Sequence, residues 1–509
     1  MSNLSQIVQI ADSKFDDNVD NLLGNINFDL FEDPKQVKAI SADYNSRFVA
    51  SLGMMLHNNP NVSNYSKSYF NNVINQIDEI IEEQVNKIIK DETFRELESE
   101  WLQVQDIVNS RSEDTNVEIS ILDVSKGELL DDFSRNLVDI ASSDLFKKVY
   151  VEEFDQYGGE PFGTILGTYD FENTDDDILW LLGMGKVAEA SHSPFISNLN
   201  HNFFGVDNID DLNQIKNFEA LLEHPRYKNW NDFRKSDAAV YVGLTLGEYV
   251  LRQAYDPVNN PVQSPSMKFF SESVVSPLDK EEYLWGGGAS LFAKNIIRSH
   301  EKTSWFQHIR GVENGGIVED LISPRYNIKG YEESFPAVNI NIPDYMELSL
   351  SKIGIIPLVL HKQDNKACFF SCNSLRKVEE YIDPLDSINS QFAANMSYTL
   401  CVSKIAHYVK HIIRDKIGSV ADATTIQGII ERWLSKFITT IYGPSQLEIA
   451  RFPFRSASVE VEPIKGKAGW YHTSINIMPH IQFEGMSVTM KVDARLEPSL
   501  FGDVDPDED

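Results

Sequence analysis

The 509-residue sequence carries 45 Lys and Arg against 77 Asp and Glu, a formal net charge of −32, with 42% hydrophobic residues. That balance excludes a nucleic-acid binder, which needs clustered cations against phosphate, and no run reaches the ~18 apolar residues of a membrane span. Three cysteines make no disulfide framework and fit a reducing cytoplasm.

The length calls for two or three domains with sizeable cores. Acidity of this size fits a soluble cytoplasmic protein, or one whose partner presents a basic face. The opening MSNLSQIVQIADSKFDDNVD is polar and acidic, unlike a secretory signal. Residues 1–62 lack the composition of a compact domain. They hold one alternating run, INFDLF (26–31), and one helical pattern, DPKQVKAISADYNSRFVASLGMML, in which Asp33 suits the cap and Pro34 the first turn. The region reads as an arm that folds against something else, or as a frayed terminus.

A helical stretch is expected over about 67–110, where Val73, Ile77, Ile80, Ile81, Val85 and Ile88 recur at threes and fours. VEISILDV (117–124) alternates as a strand does, and Glu128–Phe133 and Leu145–Phe154 return to helical spacing before the turn YGGEPFG (157–163). From 164 to 320 the pattern is α/β. TILGTYDF reads as a strand, DDILWLLGMGKVAEASHSPFI as a helix with a small-residue face, and WGGGASLFAKNIIRSHEKT as a helix from near Trp285. KIGIIPLVL (352–360) and KACFFSC (366–372) are dense, buried-strand patterns, and 388–442 is helix-rich. SASVEVEPI, GWYHTSINIMP and MSVTMKVDARL follow as three alternating strands, and the acidic DVDPDED is expected to stay disordered.

The chemistry-bearing motifs are absent. LGMGKVA lacks the length and hydroxyl of a phosphate loop, GGG at 286–288 frames no dinucleotide fingerprint, and HExxH, GxSxG and CxxC do not occur. Cys368 and Cys372, four apart in one expected strand, read as buried thiols. His407, His411 and Asp415 stack at four-residue spacing on one helix, a pattern that suits Zn or Fe, or simply a polar face flanked by Lys410, Arg414 and Lys416. Asp175, Asp176 and Asp177 read as an N-cap and dipole complement. Glu431, Arg432 and Lys436 lie opposite Ile429, Trp433, Phe437 and Ile441, as a solvated or a binding face. Glu460 and Glu462 alternate with Val459 and Val461, so one face of that strand is acidic and exposed; such a strand invites aggregation unless it is paired.

Several segments, in order from about 75 to 495, resemble the large sheath subunit of type VI secretion systems, the TssC/VipB family. They are LDVSKGELLDDF (122–133), LFKKVYVEEFDQYGGEPFGTILGTYDF (145–171), AEASHSPFI (188–196), RKSDAAVYVGLTL (234–246), YLWGGGASLFAKNIIRS (283–299), IRGVENGG (309–316), KIGIIPLVLHK (352–362) and AHYVKHIIRDKIGS (406–419). The divergent arm and acidic tail are nearest the IglB-type members. His411 stands where the family pattern has an apolar residue, and GGG at 286–288 where it has Gly-Asn-Ala.

The resemblance implies a mixed α/β, multi-domain sheath fold and a structural protein, not an enzyme, with no cofactor, metal or catalytic residue. The implied layout is an arm and linker (1–62), a helical segment (63–115), an outer α/β domain (116–330), a core domain with interlacing strands (331–498) and the tail (499–509). The implied partners are a small sheath subunit (TssB/VipA/IglA-like), neighbouring copies, an Hcp-like hexameric inner tube, a baseplate and a AAA+ disassembly ATPase. It places the protein in the bacterial cytoplasm, within a membrane-anchored apparatus. The interlacing strands map onto Ile26, Phe28 and Leu30 and onto Val459, Val461, Val488, Met490 and Val492; the tube-facing charged helix maps onto Glu431, Arg432 and Lys436. Two other readings are a metal-dependent enzyme centred on His407, His411 and Asp415, and an acidic scaffold that does not polymerise.

Overall fold

A computed structural model describes residues 67–480, except 114, 275–278, 329–330, 363–364, 380, 417–421, 440, 442 and 464–470. The arm, with Ile26, Phe28 and Leu30, and the third expected strand, with Val488, Met490 and Val492, lie outside the described residues. The chain divides into two compact units, one of residues up to Glu98 with Arg252–Tyr283, the other of Ser99–Leu251 with the chain from Leu284 onward.

The expected long helix is two helices, α1 (Lys67–Ile89) in the first unit and α2 (Glu92–Ser110), whose residues from Ser99 on belong to the second, broken at Lys90–Asp91. Polar contacts hold the loop 253–283 to them. Buried Asn86 donates to Ser271 O at 3.1 Å and accepts from Ser273 N at 2.8 Å. Arg252 bridges Glu98 and Glu272, each at 2.6 Å, with all three side chains largely buried.

The second unit is built on a four-stranded, all-parallel sheet. Its strands are β1 (Ile165–Phe171), β2 (Phe195–Leu199), β3 (Val242–Leu246) and a strand at Ile355–Pro357, in the order β1-β2-β3-355–357. Both faces are covered, so the central strands β2 and β3 are buried along their whole length, the polar Ser197, Asn198 and Thr245 included. Successive residues enter different cores: Phe195, Val242 and Leu244 join one, Ile196 and Ile356 the other.

On the first face lie α3 (Lys126–Asn136) and α4 (Asp175–Ser191). The small-residue stripe of α4 lets the two approach: a Cβ on Gly183 would sit 2.6 Å from the buried ring of Phe133. The cap of α4 is Thr174, whose hydroxyl accepts from Asp177 N at 3.1 Å, and not one of the three aspartates. Asp177 is instead buried and pairs with Lys126 at 2.7 Å.

Two further expectations are corrected. Residues 117–124 pair with no strand among the described residues, and their alternation in exposure stops at Ser120, after which Ile121 and Leu122 are both exposed. The helix expected from Trp285 starts later. Leu284–Gly287 is a short strand paired with Glu248–Arg252, and the helix, α5, runs Gly288–Thr303. The three glycines make this switch possible. A Cβ on Gly287 would come within 2.2 Å of the Asn198 amide, whose Oδ1 accepts from Ala289 N at 3.0 Å and so caps α5 from strand β2. Likewise Ala367–Cys368 is the only strand in 366–372, so Cys368 and Cys372 share burial but not a strand face.

The C-terminal part of this unit comprises α6 (Met396–Arg414), α7 (Ala423–Leu434), β4 (Phe454–Pro463) and β5 (Tyr471–Pro479). Met396 at one end of α6 packs on the sheet where Gly243 leaves room; a Cβ there would lie 2.8 Å from its methyl. At the other end Arg414 donates to the carbonyls of Phe154, Asp155 and Gln156 at 2.8–3.2 Å. Lys410 adds an ion pair with Asp155 at 2.8 Å.

Candidate assembly surfaces

The His407/His411/Asp415 stack does not converge. His407 is turned inward, its Nε2 2.8 Å from Ser191 O and its ring against Phe154 and His192. Burial pushes its pKa down to about 4. His411 is exposed and faces Asp415 at 3.5 Å. Four-residue spacing aligns Cα atoms on a helix, but the body packs over one end of this stack and leaves the other in solvent. Among the described residues no group of three His, Cys, Asp or Glu is arranged to hold a metal ion. The three thiols are buried and form no disulfide, and burial pushes those of Cys368 and Cys401 up to about 12, far from the nucleophilic thiolate.

What the C-terminal part presents is a ribbon. β4 and β5 pair antiparallel from Phe454↔Pro479 to Pro463↔Tyr471. Period-2 alternation divides β4: Phe454, Val459 and Val461 are buried, while Arg455, Ser458, Glu460 and Glu462 are exposed. The buried set packs with Ile430 and Leu434 of α7, with Cys401, Ile405 and Val409 of α6, and with Trp305. Val459 and Val461 therefore anchor the ribbon to its own chain. Apart from the parallel bridge Ile438↔Phe454, the two strands pair only with each other among the described residues. Among the described residues the backbone of this sheet is thus open at its edges, while its apolar side is already used.

Helix α7 is capped by Asp422, which accepts from Thr425 N at 2.9 Å. It buries Ile430 and Leu434 and leaves Glu431 and Arg432 in solvent, with Lys436 exposed in the turn that follows. Glu431 accepts from Gln427 at 2.8 Å. A surface that the sequence reading missed is on α2. This helix turns polar residues inward: Ser99 donates to Trp285 O at 2.7 Å, Gln103 accepts from Gly287 N at 3.0 Å, and Asp106 pairs with Lys294 at 2.8 Å. Ile107 is also buried, but four other apolar residues, Phe94, Leu97, Trp101 and Val108, are exposed, Trp101 at 60%. The signal was legible as spacings of three, four and seven, but such a stripe is normally read as core-facing.

Residues 71–376 match the family model VipB (EvpB/VC_A0108, tail sheath N-terminal domain), and residues 385–496 match VipB_2 (EvpB/VC_A0108, tail sheath gpW/gp25-like domain). The type VI secretion system sheath protein TssC1 of Pseudomonas aeruginosa is 32% identical over 441 residues, covering 86% of this chain and 87% of that protein. The chain belongs to the VipB/TssC sheath family. It is a type VI secretion sheath large subunit, and its role is structural.

The boundary between the two VipB domains falls between 376 and 385, so α6, α7 and the ribbon all lie in the gpW/gp25-like domain. The cryo-EM structure of the anti-feeding prophage baseplate aligns with 75% of this sheath subunit and 84% of its own chain at 12% identity and a TM-score of 0.37. The contracted helical sheath of the same particle aligns over 62% and 67% at 10% identity and a TM-score of 0.29. Likenesses this low establish no shared fold. No helix among the described residues is long and apolar enough to cross a membrane.

Proposed function

We propose that this sheath subunit forms a heterodimer with a small sheath subunit, that the dimers polymerise into a helical tubule around an Hcp-like inner tube, and that the tubule contracts to drive the tube outward. The β4–β5 ribbon carries the reading. Its apolar side is committed to its own chain, which leaves backbone edges to accept strands from neighbours by β-augmentation. The donated strands are those of Ile26, Phe28 and Leu30 and of Val488, Met490 and Val492, laid beside the strand of Val459 and Val461. Each backbone hydrogen bond nets only about 0.5–1.5 kcal/mol. Several per joint, repeated through head-to-tail contacts that do not close, keep a tube connected while larger faces slide between two packings.

The small subunit covers the outward stripe of Leu97, Trp101 and Val108 on α2, and Glu431, Arg432 and Lys436 form a polar face toward the tube. A polar face suits a tube that must be released. Residues 1–62 serve as arm, 63–115 as helical segment, 116–330 as outer domain and 331–498 as core. The assembly lies in the bacterial cytoplasm, docks on a baseplate of the membrane-anchored apparatus and is recycled by a AAA+ ATPase.

Co-expression with the small subunit followed by electron microscopy tests this. Tubules with cogwheel cross-sections are expected; discrete small particles alone would instead support a non-polymerising scaffold. Deleting residues 24–32 should abolish tubules or their contraction, and normal contracting tubules would sink the arm assignment.

A further inference from the structure

We propose that the guanidinium of Arg234 is a binding site for a carboxylate, which its two Nη groups hold edge to edge. Arg234 ends the short helix Lys228–Arg234 and is tied to the chain at 375–377. Its carbonyl accepts from Lys377 N at 2.9 Å, and its Nε donates to Leu375 O at 2.9 Å. With Nε committed, the edge that remains is the Nη1/Nη2 pair, whose parallel N–H bonds match the two oxygens of a carboxylate.

That edge is unmet. Three charged side chains are buried among the described residues: Asp177, Arg234 and Arg310. Asp177 is paired with Lys126 at 2.7 Å, and Arg310 has a partner of its own. Arg234 is 5% exposed, yet the bond to Leu375 O is the only one its side chain makes among the described residues. A buried charge is costly unless it is paired and hydrogen-bonded. Less buried arginines of this chain are better served: Arg252 lies between Glu98 and Glu272, and Arg298 donates to Asn295 and to the carbonyls of Gly315 and Ile317. The cost registers at Arg234, where burial lowers the guanidinium to about 10. Glu219 is near enough to oppose that fall, but it is exposed and makes no ion pair with Arg234.

The neighbouring groups call for an acceptor. Trp230, one helical turn before Arg234, has its indole N–H buried with no partner, and so has the hydroxyl of Ser374, the residue before Leu375. The acids nearest in sequence are already engaged, Asp232 with Lys235 at 3.2 Å and Asp237 with Arg376 at 3.0 Å. Guanidinium and indole only donate, so the ligand must accept. The buried cation asks for an anion, and the flat Nη edge selects a planar one. A carboxylate is all three. It comes from an acidic side chain of a neighbouring subunit or from a free carboxylic acid, and the chemistry at the fork is the same.

Thermal melts of the full-length chain in sodium acetate, against sodium chloride at matched ionic strength, test the site. Acetate should raise Tm saturably, by about 2 °C at roughly twenty times its Kd. The rise should vanish in Arg234→Met, which lacks the fork, and shrink by more than half in Arg234→Lys, which keeps the charge without the paired edge. If Arg234→Met does not fold, the comparison with Arg234→Lys decides. An equal acetate effect in wild type and variants overturns the proposal. So does a wild type indifferent to acetate, including one in which Glu219→Gln uncovers the effect, because Glu219 would then be the carboxylate. A second arm separates the two sources in wild-type chain purified with the small subunit. There a retained acetate effect assigns the site to a free carboxylate, and a lost one to an acidic side chain of the neighbour. Only this second arm rests on the heterodimer reading; the first uses unassembled chain, so its failure and the failure to form tubules are separate results.

Discussion

Gly287→Ala should be among the most damaging single-methyl additions in this protein. The new Cβ would stand 2.2–2.3 Å from the side-chain atoms of Asn198, which is itself buried in strand β2. Asn198 cannot swing away without giving up its bonds to Ala289 N at 3.0 Å and to the Thr245 hydroxyl at 3.2 Å. Overpacking costs about 1–3 kcal/mol, and two buried bonds about 1 kcal/mol each. A net loss of about 3 kcal/mol follows, which at about 2.1 cal/mol/K per residue in a unit of roughly 380 residues lowers Tm by about 4 °C. Circular dichroism melts of the wild type, Gly287→Ala, Asn198→Ala and the double variant give a thermodynamic cycle. The double variant should be far less impaired than the sum of the singles, because Asn198→Ala makes the room that Gly287→Ala needs. A Gly287→Ala shift within about 1 °C, or strict additivity, would refute the steric account of the three glycines.

The remaining predictions concern charge and thiols. His407 is neutral in the folded chain and its pKa is depressed to about 4 from the ordinary 6.5. Its contribution is therefore complete above pH 6.5 and lost as pH falls toward 4; between pH 7 and 5 the loss is about 2 kcal/mol. Denaturant titrations should show a shallower pH dependence in His407→Asn, and an unchanged slope would count against this. Arg252→Met leaves Glu98 and Glu272 facing each other with no cation and should cost about 3–5 kcal/mol. Hydrogen exchange should report it first as lost protection in 253–274, and intact protection there would contradict the bridge. Cys368, Cys372 and Cys401 should resist a maleimide in the native chain and all react in denaturant, as their burial requires; fast native labelling would refute it.

Much of the second unit could be read from local pattern. Ile165–Phe171 reads as a strand and Asp175–Ser191 as a helix whose packing face shows as Gly183 and Gly185, although the helical reading runs on to Ile196 and so over the start of the strand Phe195–Leu199. What could not be read depended on partners distant in sequence. Residues 117–124 alternate like a strand but have no ladder to join, and Trp285 was read as helical because nothing local reveals that Asn198 caps the helix three residues later. The candidate surfaces divide the same way. The exposed face of Glu460 and Glu462 follows from period 2 alone. The inward turn of His407 depends on Ser191, more than 200 residues earlier, and the stripe on α2 was legible as a period but not as a direction.

Helix α6 is pinned at both ends, by Met396 on the sheet and by Arg414 on three backbone carbonyls, with 19 residues and about 28 Å between. Along that span Cys401, Ile405 and Val409 carry the floor of the ribbon. A pull on the ribbon is therefore delivered along a stiff strut to two anchorages at once, and neither can yield alone. Force applied at the β4–β5 ribbon would move the parallel sheet as a block.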